Sequence, residues 1–189
     1  MKKWYQFIDW IKSANINIIV AFTALLTSVC ALYISIQEVH IMRTQQKALM
    51  FPYLTLGKIY NSDGFGIRLK NSGNGLAKIN SYKIHNDSMY FKDWEQVVQI
   101  LAPEAKNINY SIIKTSGGIQ DEIITPDEDL NLIFLQWTDE TRKLEKTIKS
   151  LKIEICYSSL LDDYWTVQGK VPVESSKKCR VDLEMEFGL

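Results

Sequence analysis

From about Asn15 to Gln37 the chain carries no charged side chain and is dense in Ile, Val, Leu and Ala. No other feature constrains the fold as much. The 21 residues Ile16 to Ile36, at about 1.5 Å per helical residue, match the ~30 Å hydrocarbon layer of a bilayer. The interior polar residues are Asn17, Thr23, Thr27, Ser28 and Ser35. The hydroxyls among them can bond back to a carbonyl one turn earlier, which makes them cheap in lipid. The stretch is too long for the apolar region of a cleaved signal peptide, and no small-x-small site closes it before Gln37 and Glu38. We therefore expect a retained signal anchor, a transmembrane helix over 15–37.

Residues 1–14 place Trp4, Phe7, Ile8 and Ile11 at helical spacing, with Lys2, Lys3, Asp9 and Lys12 on much of the opposite face. That pattern predicts an interfacial amphipathic helix. Lys2, Lys3, Lys12 and the amino terminus outnumber Arg43 and Lys47 beyond the span, which leans toward a cytoplasmic N-terminus. After the span no Gly or Pro occurs before Pro52. A juxtamembrane helical extension over 38–50 is expected, ended by Pro52, which steers Phe51 out of the α region.

The period then changes. Short alternating or apolar runs at Leu54–Leu56, Ile67–Leu69, Ile79 with Tyr82–Ile84, Asn107–Lys114, Leu130–Trp137, Leu151–Tyr157, Trp165–Val167 and Val181–Phe187 are separated by Asn, Ser, Asp and Gly clusters. These read as strands. Phe91–Leu101 reads as a helix, with Trp94, Val97, Val98 and Leu101 on one face. ETRKLEKTIKSL suits a short charged helix or a solvated hairpin end. In NSGNG, Gly73 and Gly75 are expected to supply positive φ for a tight reversal. The fold class is a single transmembrane helix plus a mainly-β domain over 51–189, a two-sheet, immunoglobulin-like sandwich with one short helix.

Three motifs stand in order: TQQKALMFPYL (Thr44–Leu54, containing Pro52 and Tyr53), NSGNGLAKI (Asn71–Ile79, containing Gly73 and Gly75) and ICYSSLLDDYW (Ile155–Trp165, containing Tyr157 and Asp162). Over most of its length the chain resembles a large group of uncharacterised bacterial single-pass membrane proteins. Those have an N-terminal transmembrane helix, a Gln-Gln segment leading into an aromatic-Pro-Tyr-Leu strand, an N-x-G-x-G-P-A-x-I hairpin and a Tyr-Cys-Ser-x-x-Asp-x-x-Trp hairpin. Leu76 stands where that group usually has Pro, and Ser158 where a second Cys is common. The resemblance implies an architecture and the bacterial plasma membrane, single-pass; it carries no activity.

Function classes narrow by chemistry. The 22 basic and 22 acidic residues cancel, and no basic cluster of the kind that neutralises phosphates is present, so no nucleic-acid partner is expected. Gly73 and Gly75 precede a strand rather than a helix N-terminus, unlike a phosphate-binding loop. Asp162 and Asp163 fit a solvated hairpin turn, and Trp165 a core anchor. With only His40, His85, Cys30, Cys156 and Cys179 and no C-x-x-C, a zinc site has too few ligands. No G-x-S-x-G, H-E-x-x-H or Walker loop occurs. We expect no cofactor, no metal and no catalysis. In an oxidising compartment Cys156 and Cys179 can bridge; in the cytoplasm they stay reduced.

Two functions are left: a membrane-anchored interaction or scaffold module with a protein partner, or a membrane effector, for example in bacterial defence, that self-assembles through its helix and perturbs the bilayer. Ala21, Ala24, Ser28, Ala31 and Ser35 follow a 3,4,3,4 spacing, a stripe of small side chains along which a homo-oligomer can pack closely.

Overall fold

The apolar run and its extension form one helix, α1 (Ile16–Leu49), whose best window has a mean hydropathy of 2.2 and none of whose residues is buried. The helix is long and apolar enough to cross a membrane. Its hydroxyls turn inward as the sequence requires: Thr23 donates to Val20 O, and Thr27 and Ser28 both donate to Ala24 O. The structure, a computed structural model, describes residues 16–103, 113–115, 118–169, 171–175 and 177–188. The expected interfacial helix over 1–14 and most of the expected strand Asn107–Lys114 lie outside those residues. The chain divides into two units at Gln46/Lys47, so Lys47, Ala48 and Leu49 belong to the unit that contains the sheets.

The second unit has two antiparallel sheets. One runs β1 (Leu54–Tyr60), β2 (Gly64–Asn71), β7 (Asp129–Gln136), β5 (Ile113–Lys114). The other runs β10 (Val173–Ser175), β9 (Tyr164–Val167), β8 (Lys152–Ser158), β3 (Ala77–His85), β4 (Tyr90–Phe91), with β6 (Ile123–Ile124) also paired to β3. Period-two alternation sends Leu54 from β1, Phe65, Ile67 and Leu69 from β2, and Ile133 and Leu135 from β7 into a core shared with Ile79, Tyr82, Ile84, Ile155, Tyr157 and Val167 of the second sheet, and an irregularity in the β2–β7 register lets Leu132 join them.

Two helices complete the core. In α2 (Trp94–Leu101) the Asp93 carboxylate accepts from Gln96 N at 2.7 Å, and the buried face is Trp94, Val97 and Val98. The charged segment ETRKLEKTIKSL resolves as a helix, α3 (Asp139–Ser150). Thr138 and Thr141 cap it reciprocally, and Leu144 and Ile148 are buried.

Three expectations are corrected. NSGNG does not close a hairpin, because β2 and β3 belong to different sheets; the segment carries the chain from one sheet to the other. Gly73 and Gly75 do not have positive φ. Among the described residues, those that do are Asp121, Asp127, Asp162 and Gly188. Nor is Val181–Phe187 a strand. Its residues turn on Asp182, whose carbonyl accepts from Met185 N and Glu186 N. The tail is instead fastened by Phe187 N to Tyr82 O at 2.8 Å and Gly188 N to Lys92 O at 2.7 Å. The short strands β6 and β10 carry no apolar alternation long enough to read.

Candidate functional site

Pro52, Tyr53, Asn71, Gly73, Gly75, Tyr157 and Trp165, from three separate motifs, come together around the segment where the chain enters β1. Asn71 ends β2 fully buried. Its Oδ1 accepts from Tyr53 N at 3.1 Å and Gly73 N at 3.0 Å, while Nδ2 donates to Gly75 O at 2.8 Å and Ile124 O at 3.2 Å. Those bonds use the full capacity of the amide. Ser72 N donates to Tyr53 O at 2.8 Å and Gly75 N to Phe51 O at 3.2 Å. The β2–β3 crossover therefore lies directly on the entry segment, and this close approach is what requires glycine. A Cβ on Gly73 would sit 2.3 Å from Phe51 O, and one on Gly75 1.8 Å from Met50 O.

The other side of the entry segment is held by the β8–β9 hairpin. The Tyr157 hydroxyl accepts from Leu54 N at 3.3 Å and donates to Pro52 O at 3.5 Å. Burial pushes its phenol well above the usual range. Trp165, across the strand pair from Tyr157, stacks on it at 5.6 Å and meets Phe51 edge-on at 5.2 Å. Trp165 is buried and belongs to the hydrophobic core. Asp162 occupies the hairpin turn at φ 59, as a turn residue would.

Beside this clamp a cavity of about 430 Å³ opens, walled by Phe51 and Trp165 and rimmed by Lys47, Asp163 and Glu174. Lys47 Nζ stands 2.6 Å from Asp163 Oδ1. The Ser159 hydroxyl, also on the lining, is committed to the turn, accepting from Leu161 N at 3.1 Å and Asp163 N at 3.3 Å. No histidine or cysteine lines the cavity. An aromatic wall with two carboxylates and one ammonium is equipped to recognise a ligand, and it holds no paired nucleophile and base. Lys47 is not recognisable as a rim residue from local sequence, because its partner lies 116 positions away.

Elsewhere, His40 lies on α1, and His85 Nδ1 is 3.1 Å from Asn86 O with its ring 5.0 Å from that of Tyr90. Cys156 and Cys179 form a disulfide with Cα atoms 5.8 Å apart, and Cys30 is free on α1. Among the described residues no group of three or more His, Cys, Asp or Glu is placed to hold a metal. Ala21, Ala24, Ser28, Ala31 and Ser35 are all exposed on α1. A buried carboxylate that sequence reading missed, Glu186, accepts from Ser81 Oγ at 2.7 Å and Tyr82 N at 2.8 Å, with Lys83 Nζ at 3.9 Å. It locks the tail onto β3. Compared with known proteins, the chain matches no family model, no curated protein and no solved structure.

Proposed function

We propose that this protein is a non-enzymatic interaction module of the bacterial plasma membrane, anchored by α1 and offering its two-sheet domain to a protein partner. The observation that carries this reading is the use made of its motif residues. Asn71, Gly73, Gly75 and Tyr157 are committed to the crossover and to the entry segment Met50–Leu54 through hydrogen bonds and close approaches, which leaves the neighbouring aromatic and charged cavity for recognition. The cavity is the first surface to test. A disulfide between Cys156 and Cys179 supports placing the domain on the oxidising side, in keeping with a cytoplasmic N-terminus. The shared core supports reading the sheets as an immunoglobulin-like sandwich.

A second reading, a membrane effector acting by helix self-assembly, is favoured by one observation: the small-residue stripe runs along a helix with no buried residue. One pair of experiments separates the two. A photo-cross-linking residue in place of Glu174, in the full chain in membranes, should trap a protein other than a second copy while cells grow normally. Growth arrest by the full chain but not by a version lacking residues 1–40, relieved when Ala24, Ser28 and Ala31 become Leu, would replace the interaction module with the effector.

A further inference from the structure

β1 is the edge strand of its sheet, and its free edge is filled over only half its length. The amides of Leu54 and Leu56 point away from β2, to Tyr157 Oη at 3.3 Å and to Gly169 O at 3.2 Å. Strand alternation turns the amides and carbonyls of Lys58 and Tyr60 to that same side. There, among the described residues, they meet no partner.

Next to this open half lies an apolar slot. A cavity of about 470 Å³ between β1, the end of α3 and the start of β8 and a second of about 240 Å³ share Lys58, Ile67, Ile148 and Lys149 in their linings. They form one channel along β1. Among the described residues, three lysines, Lys58, Lys149 and Lys152, line it and no carboxylate does. Lys149 and Lys152 are held by Glu145 and Asp87, which lie outside the lining. Lys58 has no ion-pair partner among the described residues.

From the open strand edge, the apolar channel and its unbalanced positive charge, we propose that β1 accepts an extended acidic–apolar peptide as an added strand. Its backbone would pair with Lys58 and Tyr60; on the one face that Lys58 shares with its cross-strand partner Ile67, an apolar side chain would enter the channel against Ile67 and Ile148 and, two residues along, a carboxylate would meet Lys58. Strand addition supplies affinity through main-chain bonds and specificity through alternate side chains. This inference rests on the interaction-module reading and names the partner's chemistry. Its failure leaves that reading standing, because the cavity at Glu174 is tested separately.

The test uses the full chain in neutral-lipid nanodiscs and a labelled peptide that repeats valine–serine–glutamate–serine, so that valine and glutamate share one face, read by fluorescence anisotropy. The peptide should bind, and its valine–lysine counterpart, with lysine for each glutamate, should not. Lys58→Ala and Lys58→Pro both remove the charge, but only proline removes the outward amide, a change that edge strands tolerate. Lys58→Pro should therefore bind about tenfold more weakly than Lys58→Ala, the scale of a lost hydrogen bond in a dry site. Should the proline variant not fold, N-methylating alternate amides of the peptide removes the same pairing from the other partner and should abolish binding. Equal binding of the N-methylated peptide, or of the valine–lysine peptide, would overturn the proposal. Binding of oleate with no binding of the acidic peptide would replace it with a site for an anionic amphiphile.

Discussion

Asn71 Oδ1 accepts the amide proton of Tyr53 across 3.1 Å, joining residues that stand 18 positions apart. The bond is one of four that the same side chain makes in a fully buried site. Leu54, the neighbour of Tyr53, is gripped from the other sheet by Tyr157.

Asn71→Ala removes all four bonds, two of them to the buried Gly75 and Ile124 carbonyls and two to the half-buried Tyr53 and Gly73 amides. The expected loss is about 3 kcal/mol of unfolding free energy, from the cost of stranding buried donors and acceptors. Denaturant unfolding of the full chain, followed by tryptophan fluorescence, measures it. A midpoint equal to the parent's would mean that Asn71 does not hold the entry segment.

Glycine substitutions rank by what a new Cβ would strike. Gly75→Ala drives a methyl into the Met50 carbonyl at 1.8 Å, backbone that cannot step aside. Gly57→Ala meets only the flexible Arg68 side chain, at 3.1 Å. The first variant should lose soluble, folded protein or melt well below the parent, while the second stays within about 0.5 kcal/mol of it, as surface changes usually do. Reversal of that order in thermal melts would remove close approach as the reason for Gly75.

The Cys156–Cys179 bridge spans a separation of 23 residues. Its reduction should lower stability by about 3 kcal/mol in the loop-closure account. Unfolding with and without reductant gives the value, and Cys156→Ser should reproduce the reduced midpoint. Cys30→Ser serves as the control and should leave the midpoint unchanged.

Alkaline conditions should weaken the domain through two phenols. Burial raises both Tyr82 and Tyr157 far above the ordinary tyrosine range. Above about pH 10 the unfolded chain sheds these protons and the folded chain keeps them, so the unfolded state binds fewer and stability falls as pH rises. The contribution is complete below that pH. Melting temperatures of the parent should drop between pH 9 and 11 (about one unit either side of the free phenol's value), and Tyr82→Phe with Tyr157→Phe should flatten that slope. Among the described residues the buried Tyr82 hydroxyl also meets no partner, so its Phe variant should be as stable as the parent at neutral pH.

Much of this architecture could be read before the structure was seen, and for physical reasons. The apolar run of α1, the alternation of Phe65, Ile67 and Leu69 in β2, and the helical face of Trp94, Val97 and Val98 are local periodicities that survive folding, whereas β7 and β8 bury consecutive residues. Non-local geometry was hidden. Gly73 and Gly75 carry ordinary turn composition, and only the path of residues 50–53 beneath them reveals that their missing side chains matter. Val181–Phe187 has strand-like composition, but Glu186 must reach Ser81 and Tyr82, 105 and 104 positions earlier, and that bond turns the segment instead. The Lys47 and Lys58 sites were invisible for the same reason, being defined by partners and edges distant in sequence.

The tail latch sets an order of events during synthesis. β3 is complete at His85, yet Tyr82 stays uncovered until Phe187 arrives to pack on its ring at 5.2 Å and bond its carbonyl, and Cys156 waits for Cys179. Chains elongate at about 5–20 residues per second, so the half-made domain exposes its apolar sheet for seconds. Closure over Tyr82 is therefore tied to the emergence of the turn at 181–188 rather than to the strands themselves, and a ribosome stalled between completion of β3 and residue 187 would hold an open, sticky intermediate.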